Sequence, residues 1–471
     1  MRIHDLDPKE INEIIKGLKP EDIVGLECKH AVYTQSSSNP NSDMVTVKQL
    51  VHTKDGRKLP MLKFIKDYER TFYMTTKQHQ TYADKKEWED IKKLQKYKTK
   101  QCNLQKAICA AQGYGNPNSQ LRALARNQYL YGCDITTPTL IKAQYQQKWG
   151  LFTPNTVAVI DSESDMVNGE GTDPIILTIT FQNKALITIR EDWIKGIAVP
   201  EETILKALEK HLGKDIEKRE LSFEIIITPS MTEMIREVIA RAHRWQPDFV
   251  TFWNMDYDLT VMLNMLEKDG VNLADLFSDP RVPPEYRYFN YKRGPSVKQK
   301  ADGTVENLAS YDRWHVVEFP ASFQFIDAMC VFRQIRKAKG KAPSYSLDYT
   351  LTSQLKRGKL YFEIDLPGIA EGSAEWHRQM QIKYKIEYIV YNVWDCVGVE
   401  ELDEKTRDLQ TQVSVLSGYS EYSVFHSNPK RTSDKLHFFC LENGKVAGCV
   451  SDQMEHELDP LLLGKEDWIN M

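Results

Sequence analysis

Three short acidic signatures follow one another along the chain: Asp161-Ser-Glu163 at the end of an apolar run, Asn254-Met-Asp-Tyr257-Asp258 after another, and Tyr391-Asn-Val-Trp-Asp395 inside a helical pattern. Together they offer four carboxylates, Asp161, Glu163, Asp258 and Asp395, and one tyrosine, Tyr391. Phosphodiester hydrolysis needs an activated water and a way to stabilise charge on the leaving oxygen, and two divalent ions about 3.5–4 Å apart can do both. Magnesium prefers oxygen ligands and keeps several of its waters, so a few carboxylates and a substrate phosphate suffice to bind it. The expectation is a metal-dependent 3′→5′ exonuclease using two Mg2+ ions, with Mn2+ able to substitute.

Each signature alone has an ordinary structural reading. If a strand over 156–160 continues through Asp161, that residue and Glu163 leave on the same face, yet acids are common at solvated strand ends. Asp258 follows a strand-like run and opens a helical pattern over 259–266, where acidic residues are ordinary N-caps. Asp256 is nearby, and local geometry does not choose between the two aspartates. Tyr391 and Asp395 are four apart in a helix, hence on one face, where a tyrosine more often packs. Specificity lies in the order of the set and in the strand, strand-end and helix context of its parts.

The elements that must position these residues form an α/β pattern from about residue 152. Strands are expected at 156–160, 175–181, 185–189, 223–227, 249–253 and 323–326. A helix is expected over 230–244, with Ser230 as N-cap and Glu233 completing a capping box, and a long helix over about 375–408. Residues 280–322 are proline- and loop-rich, and 297–306 reads as a hairpin with an Asp302-Gly303 turn. Residues 1–90 read as mixed α+β. There Asp7-Pro8 opens an amphipathic stretch carrying Ile11, Ile14, Ile15 and Leu18, and a strand over 44–51 precedes a turn at Asp55-Gly56.

Composition bounds the rest. A hydrophobic content of 41% allows a sizeable core. A net charge of −4 does not single out a nucleic-acid binder, although a local basic groove can sit on a neutral protein. Residues 91–150 are such a candidate: ten basic residues face Asp134 alone, interleaved with Tyr97, Tyr114, Tyr129, Tyr131, Tyr145 and Trp149. That mixture suits the phosphates and bases of a single strand, with Lys96, Lys98, Lys100, Arg122 and Arg126 as the patch. A solvated helical pair with lysines facing water is the competing reading. The eight cysteines form no C-x-x-C pair, which favours reduced thiols over a disulfide frame or zinc site. The first residues are polar and acidic, without a signal-peptide pattern, and no apolar stretch is long enough to span a bilayer. The expectation is a cytoplasmic protein (host cytoplasm if viral) with no membrane partner.

The signatures resemble those of B-family DNA polymerases, especially of large tailed bacteriophages. The family's first exonuclease signature, D-x-E, matches Asp161-Ser-Glu163. The second, N-x(2–3)-[FY]-D, matches Asn254 through Asp258 and selects Asp258 over Asp256. The third, Y-x(3)-D, matches Tyr391 through Asp395. Phe325-Ile-Asp-Ala-Met, Pro343-Ser-Tyr-Ser-Leu-Asp348 and Lys356-Arg-Gly-Lys-Leu360 are also similar to the phage form. The resemblance covers about 151–450 and fades over 1–150. It implies an RNase H-like exonuclease domain of the DEDDy type over 151–407, acting on the 3′ end of single-stranded DNA or of a primer-template. Asp161 and Asp258 would contact the metals directly. Glu163 and Asp395 would hold the nucleophile-side metal, and Tyr391 would orient the attacking water. Asn254 and Tyr257 are implied as substrate contacts. It also implies a discontinuous N-terminal domain, 1–150, onto which 408–450 returns, followed by an acidic tail, 451–471. By position, the hairpin at Asp302-Gly303 would help to separate primer end from template.

The polymerase signatures D-x-x-S-L-Y-P, K-x(3)-N-S-x-Y-G and Y-x-D-T-D-S do not occur in this sequence. Three readings follow. The chain is the proofreading exonuclease part of a split polymerase, with palm, fingers and thumb on a separate chain that the acidic tail could dock. It is a free-standing exonuclease of single-stranded DNA or RNA. Or it is an RNA-binding regulator gripping RNA through 91–150, a reading against which the intact acidic set argues.

Overall fold

Alternating β-branched and polar residues build the first sheet in a computed structural model that describes residues 3–81, 86–113, 120–168, 171–299, 303–362, 364 and 366–448. Strands β1 (Ile23–Gln35), β2 (Asp43–Thr53) and β3 (Lys58–Lys66) form an antiparallel meander. The Asp55-Gly56 turn joins β2 to β3, with Gly56 at φ +84°, a conformation that costs glycine little. The amphipathic stretch is a helix, Pro8–Lys16, capped by Asp7, and Ile11 packs with Val51 and Leu59 of the sheet. A second sheet has β4 (Glu69–Thr75) between β5 (Leu94–Lys100) and β6 (Leu130–Tyr131). Helix α1 (Thr137–Trp149) lies on the first sheet, with Ile141 against Cys28 and Val45.

Residues 91–150 are therefore not a helical pair. Lys96, Lys98 and Lys100 stand on β5, exposed to solvent. Lys98 is ion-paired with Glu69 at 2.6 Å and Lys100 with Asp67 at 2.8 Å. Tyr97 stacks on Phe72, Tyr131 is buried, and Tyr145 donates to Gln49, so these three rings serve packing. Arg126 is half-buried at the end of the short helix Leu121–Ala125, which also contains Arg122. Tyr114, Asp302, Cys449 and the tail 451–471 lie outside the described residues.

Six strands form the central sheet: β7 (Val157–Ser164), β8 (Pro174–Phe181), β9 (Lys184–Arg190), β10 (Ser222–Thr228), β11 (Phe249–Phe252) and β12 (Gln324–Asp327). Their order is β10-β9-β8-β7-β11-β12. β8 is antiparallel to both neighbours and every other pairing is parallel. Every residue of β8 is buried, as a strand covered on both faces requires. Period-two alternation sorts the core. Leu186 faces α3 (Met231–Trp245) and α4 (Met255–Lys268), whereas Ile187 and Ile189 face α2 (Pro200–Arg219) and the later helix Lys385–Thr406. After β12 come α5 (Ala328–Ile335), α6 (Leu347–Leu355), α7 (Ala374–Lys383) and α8 (Lys385–Thr406). Fifteen residues of α8 are buried, the pattern of a helix enclosed on all sides. Gly398 lets α6 approach it: a Cβ there would meet Leu351 at 3.1 Å.

Several expectations are corrected. The first strand does not stop at 160 but runs to Ser164, carrying Asp161 and Glu163 within it. The helix expected over 375–408 is two, parted at Tyr384, whose φ of −132° and ψ of 46° leave the helical region. Apolar spacing continues across that break, which is why periodicity joined them. Ser230 accepts from the Glu233 amide, but the Glu233 carboxylate does not close a capping box and instead lies 3.6 Å from Arg236. Strands Val297–Gln299 and Val305–Asn307 pair as a hairpin ladder.

Residues after 408 return toward the N-terminal elements. In α9 (Asn428–Glu442), Phe438 packs on Ile135 and Ala143, and Lys445–Ala447 pairs with Trp88–Asp90. A buried polar network also ties the first sheet to the central one. Lys48 donates to the carbonyls of Gln246 and Pro247 and pairs with Asp248 at 3.0 Å. Among the described residues, no helix is long and apolar enough to cross a membrane.

Candidate metal centre

Alternation along β7 puts Asp161 and Glu163 on one face, and α8 crosses that face. Its residues Tyr388, Tyr391, Asn392 and Asp395, spaced by three or four, look toward the strand. One carboxylate oxygen from each of Asp161, Glu163 and Asp395 lies within 4.8 Å of the others, a group that could hold a metal ion. The three line a cavity of about 280 Å³ with Asp258, Tyr391, Asn254 and Tyr257.

Asp258 stands beside the triad. It is neither N-cap nor helix opener as expected, because Asn254 takes the cap position and α4 already begins at Met255. That places Asp258 in the first helical turn, buried, where its Oδ1 accepts from Ser162 at 2.6 Å. Ser162 lies between the two strand acids and is buried with Asp258. Asp256, two residues earlier, accepts from Tyr291 at 2.6 Å and lies 3.5 Å from Arg293, and it does not line the cavity. Helical rotation thus separates two aspartates that local sequence could not. Tyr257 is 49% exposed at the rim and donates to the Gly171 carbonyl at 3.1 Å.

Five supporting residues were not among the site residues read from sequence. Asn392 donates to Asp161 at 2.7 Å. Tyr388 donates to Glu163 and is itself bonded to His377 at 2.8 Å. Lys359 donates to the Tyr391 hydroxyl at 2.7 Å and to Asp395. Ser162 completes the group. Asn392 falls inside the third signature and Lys359 inside the stretch 356–360. Only tertiary contact gives either a role. His377 and Tyr388 belong to no motif and carried no local signal.

The electrostatics are those of crowded, buried acids. Burial is the first cause that pushes each carboxyl upward. Asp161, near Asp395, Asp258 and Glu163, stands well above the usual carboxylate range. Glu163 rises to about 8 and Asp258 to about 7, and Asp395 is also raised. Burial works against the charge on Lys359, but Asp395, Asp161 and Glu163 outweigh it and raise its pKa. His377, pushed down to about 4 by burial and Lys359, is a neutral imidazole. Ionised together, the four carboxylates would exceed the one ammonium in charge, an excess that divalent cations would relieve. Asp395 Oδ1 is buried without a hydrogen-bond partner among the described residues, so it could serve as a metal ligand.

No family model matches the chain, and no curated protein matches it in a sequence search.

Proposed function

We propose that this chain is a 3′→5′ exonuclease of the RNase H-like DEDDy type, hydrolysing phosphodiester bonds from the 3′ end of DNA. The observation that carries the reading is the meeting of Asp161, Glu163 and Asp395 within 4.8 Å, in a cavity that also holds Asp258 and Tyr391. The central sheet supports it. Three consecutive strands lie side by side with the middle one reversed, and two parallel strands continue on the other side of β7. That arrangement places the ends of β7 and β11 together at the cavity.

The donor set suits magnesium, being all oxygen, acidic and open on one side. Asp161, Glu163 and Asp395 would hold one ion, and Asp161 with Asp258 a second; Mn2+ would substitute. When bound, the ions supply water activation and stabilise charge on the leaving oxygen. The remaining work falls to side chains. Because Lys359 donates to the Tyr391 oxygen, the Tyr391 proton is directed away from Lys359, free to orient a water or a phosphate oxygen. Asn392 and Tyr388 hold Asp161 and Glu163 at fixed orientation. Asn254 and Tyr257, at the cavity rim, would contact the terminal nucleotide.

Within this reading the chain is the proofreading exonuclease region of a B-family phage DNA polymerase. Incubating the full chain with 3′-labelled single-stranded DNA tests the activity: Mg2+-dependent release of mononucleotides is expected, and activity undiminished in excess EDTA would overturn the assignment. Co-purification with a chain bearing the polymerase signatures tests the assembly.

A further inference from the structure

A cavity of about 510 Å³ lies apart from the carboxylate centre. It opens between the N-terminal sheets and the edge of the central sheet, lined by residues of β1, the start of α1, β12 and the strand Val316–Glu318. Its volume falls in the range of about 300–1,000 Å³ usual for small-molecule sites. On one wall is Arg70, only 1% exposed. Its guanidinium makes two neutral hydrogen bonds, to Thr137 Oγ1 at 3.3 Å and to the Cys133 carbonyl at 3.2 Å. Its Nε has no partner, and it makes no ion pair among the described residues. Asp134, exposed on the same wall, acts on it only from beyond ion-pair distance. A buried guanidinium without a counter-ion is costly unless an anion completes it, and its planar fork matches phosphate.

The other features of the cavity narrow the anion. Tyr288, Glu318 and Glu421 all line the cavity. Glu318 accepts from Asn290 at 3.2 Å and Glu421 from Thr136. An ionised carboxylate offers about four acceptor sites, so both keep capacity for donors from a ligand. Burial and the charge of Glu318 push Glu421 up to about 6, as in an acidic pair short of donors. Trp314 and Tyr288 supply aromatic surface on which a flat ring can stack. An unpaired guanidinium, aromatic surface and carboxylate acceptors lining one cavity match the phosphate, the flat ring and the hydrogen-bond-donating edge of a nucleotide. Adenine, cytosine and guanine present an exocyclic amine; thymine presents only a carbonyl at the corresponding place.

We propose that this cavity binds one nucleotide unit whose base carries an exocyclic amine, with its phosphate on Arg70 and its amine on Glu318 and Glu421. The unit is either a free mononucleotide or one nucleotide of a bound strand. The proposal does not rest on the hydrolytic reading of the carboxylate centre, with which the cavity shares no residue.

Calorimetric titration of the full chain in EDTA tests it, with dGMP, dAMP, dCMP, dTMP, inorganic phosphate and a short single-stranded oligonucleotide as probes. Saturable binding of the three amine-bearing mononucleotides is expected, with dTMP weaker by roughly tenfold. Arg70→Met should weaken dGMP by roughly tenfold or more, and Asp161→Asn should leave that binding unchanged. Competition by the oligonucleotide assigns the site to a strand, and binding of mononucleotides alone assigns it to the free ligand. Where Arg70→Met does not fold, Glu318→Gln on the half-buried wall serves instead, and it should bring dCMP and dTMP close to equal affinity. Absence of saturable binding, equal binding of dTMP by the wild type, unchanged dGMP binding by Arg70→Met, or loss of it in Asp161→Asn would each overturn the proposal.

Discussion

Lys359 places its ammonium 2.7 Å from the Tyr391 hydroxyl oxygen, and the same nitrogen bonds Asp395. Residues 32 positions apart in the chain are thereby locked into one proton-ordered unit, in which the lysine takes the tyrosine's acceptor site and leaves its proton for the cavity. Lys359→Met should slow cleavage by about a hundredfold, the scale of losing one preorganised donor. Tyr391→Phe should slow it similarly, and the double variant should fall well short of the product of the two losses. Single-turnover rates check this; fully multiplicative effects would show that the two act independently.

Asp161→Ala with Glu163→Ala should abolish cleavage and calorimetric Mg2+ binding while leaving single-strand binding nearly intact. The variant removes the acids that bear on the metal and leaves the exposed basic strand β5 in place. Retained Mg2+ binding would remove these residues from the centre.

Asp258→Ala should be severe and Asp256→Ala mild in cleavage assays. Asp258 is buried in the cavity on Ser162, whereas Asp256 is held outside it by Tyr291. The reverse order would mean that the wrong aspartate has been assigned.

In metal-free protein, the raised carboxyls keep their protons to higher pH when folded than when unfolded. Between about pH 4 and about pH 8 the folded form thus binds more protons, and its stability falls as pH rises. Glu163 at about 8 and Asp258 at about 7 set the upper part of that window. Mg2+ competes with these protons, so the rise in melting temperature on adding Mg2+ should be larger near pH 8 than near pH 5. Differential scanning calorimetry in EDTA and in Mg2+ measures both. An Mg2+ effect that shrinks with rising pH would contradict the buried-acid picture.

Lys48→Met should destabilise the fold by ~3–5 kcal/mol, because it breaks a buried ion pair and leaves Asp248 with Lys29, at 3.9 Å, as its remaining cation. Lys48 is 1% exposed and bridges the first sheet to Asp248 and to two carbonyls before β11. Denaturant unfolding checks this, and a loss below about 1 kcal/mol would mean that the network contributes little.

Much of the fold was legible because burial writes a period into sequence. The apolar run of β9 follows from burial on both of its faces, and the three-and-four spacing of α3 from burial on one. The break at Tyr384 was not legible, since apolar spacing runs through it. Nor was the pairing of Lys98 and Lys100 with Glu69 and Asp67, because cross-strand neighbours are remote in the chain.

The sequence by itself determined the ligand chemistry of the candidate centre: which residues are acidic, that Asp161 and Glu163 share a strand face, and that Tyr391 and Asp395 share a helix face. These are consequences of backbone period and need no partner. Only the tertiary structure decided that strand and helix faces converge within 4.8 Å, that Ser162 holds Asp258 aside, and that Lys359, His377 and Tyr388 complete the surroundings. Convergence depends on how layers pack, and burial of those acids, which raises their pKa values, exists only once the layers have closed over them.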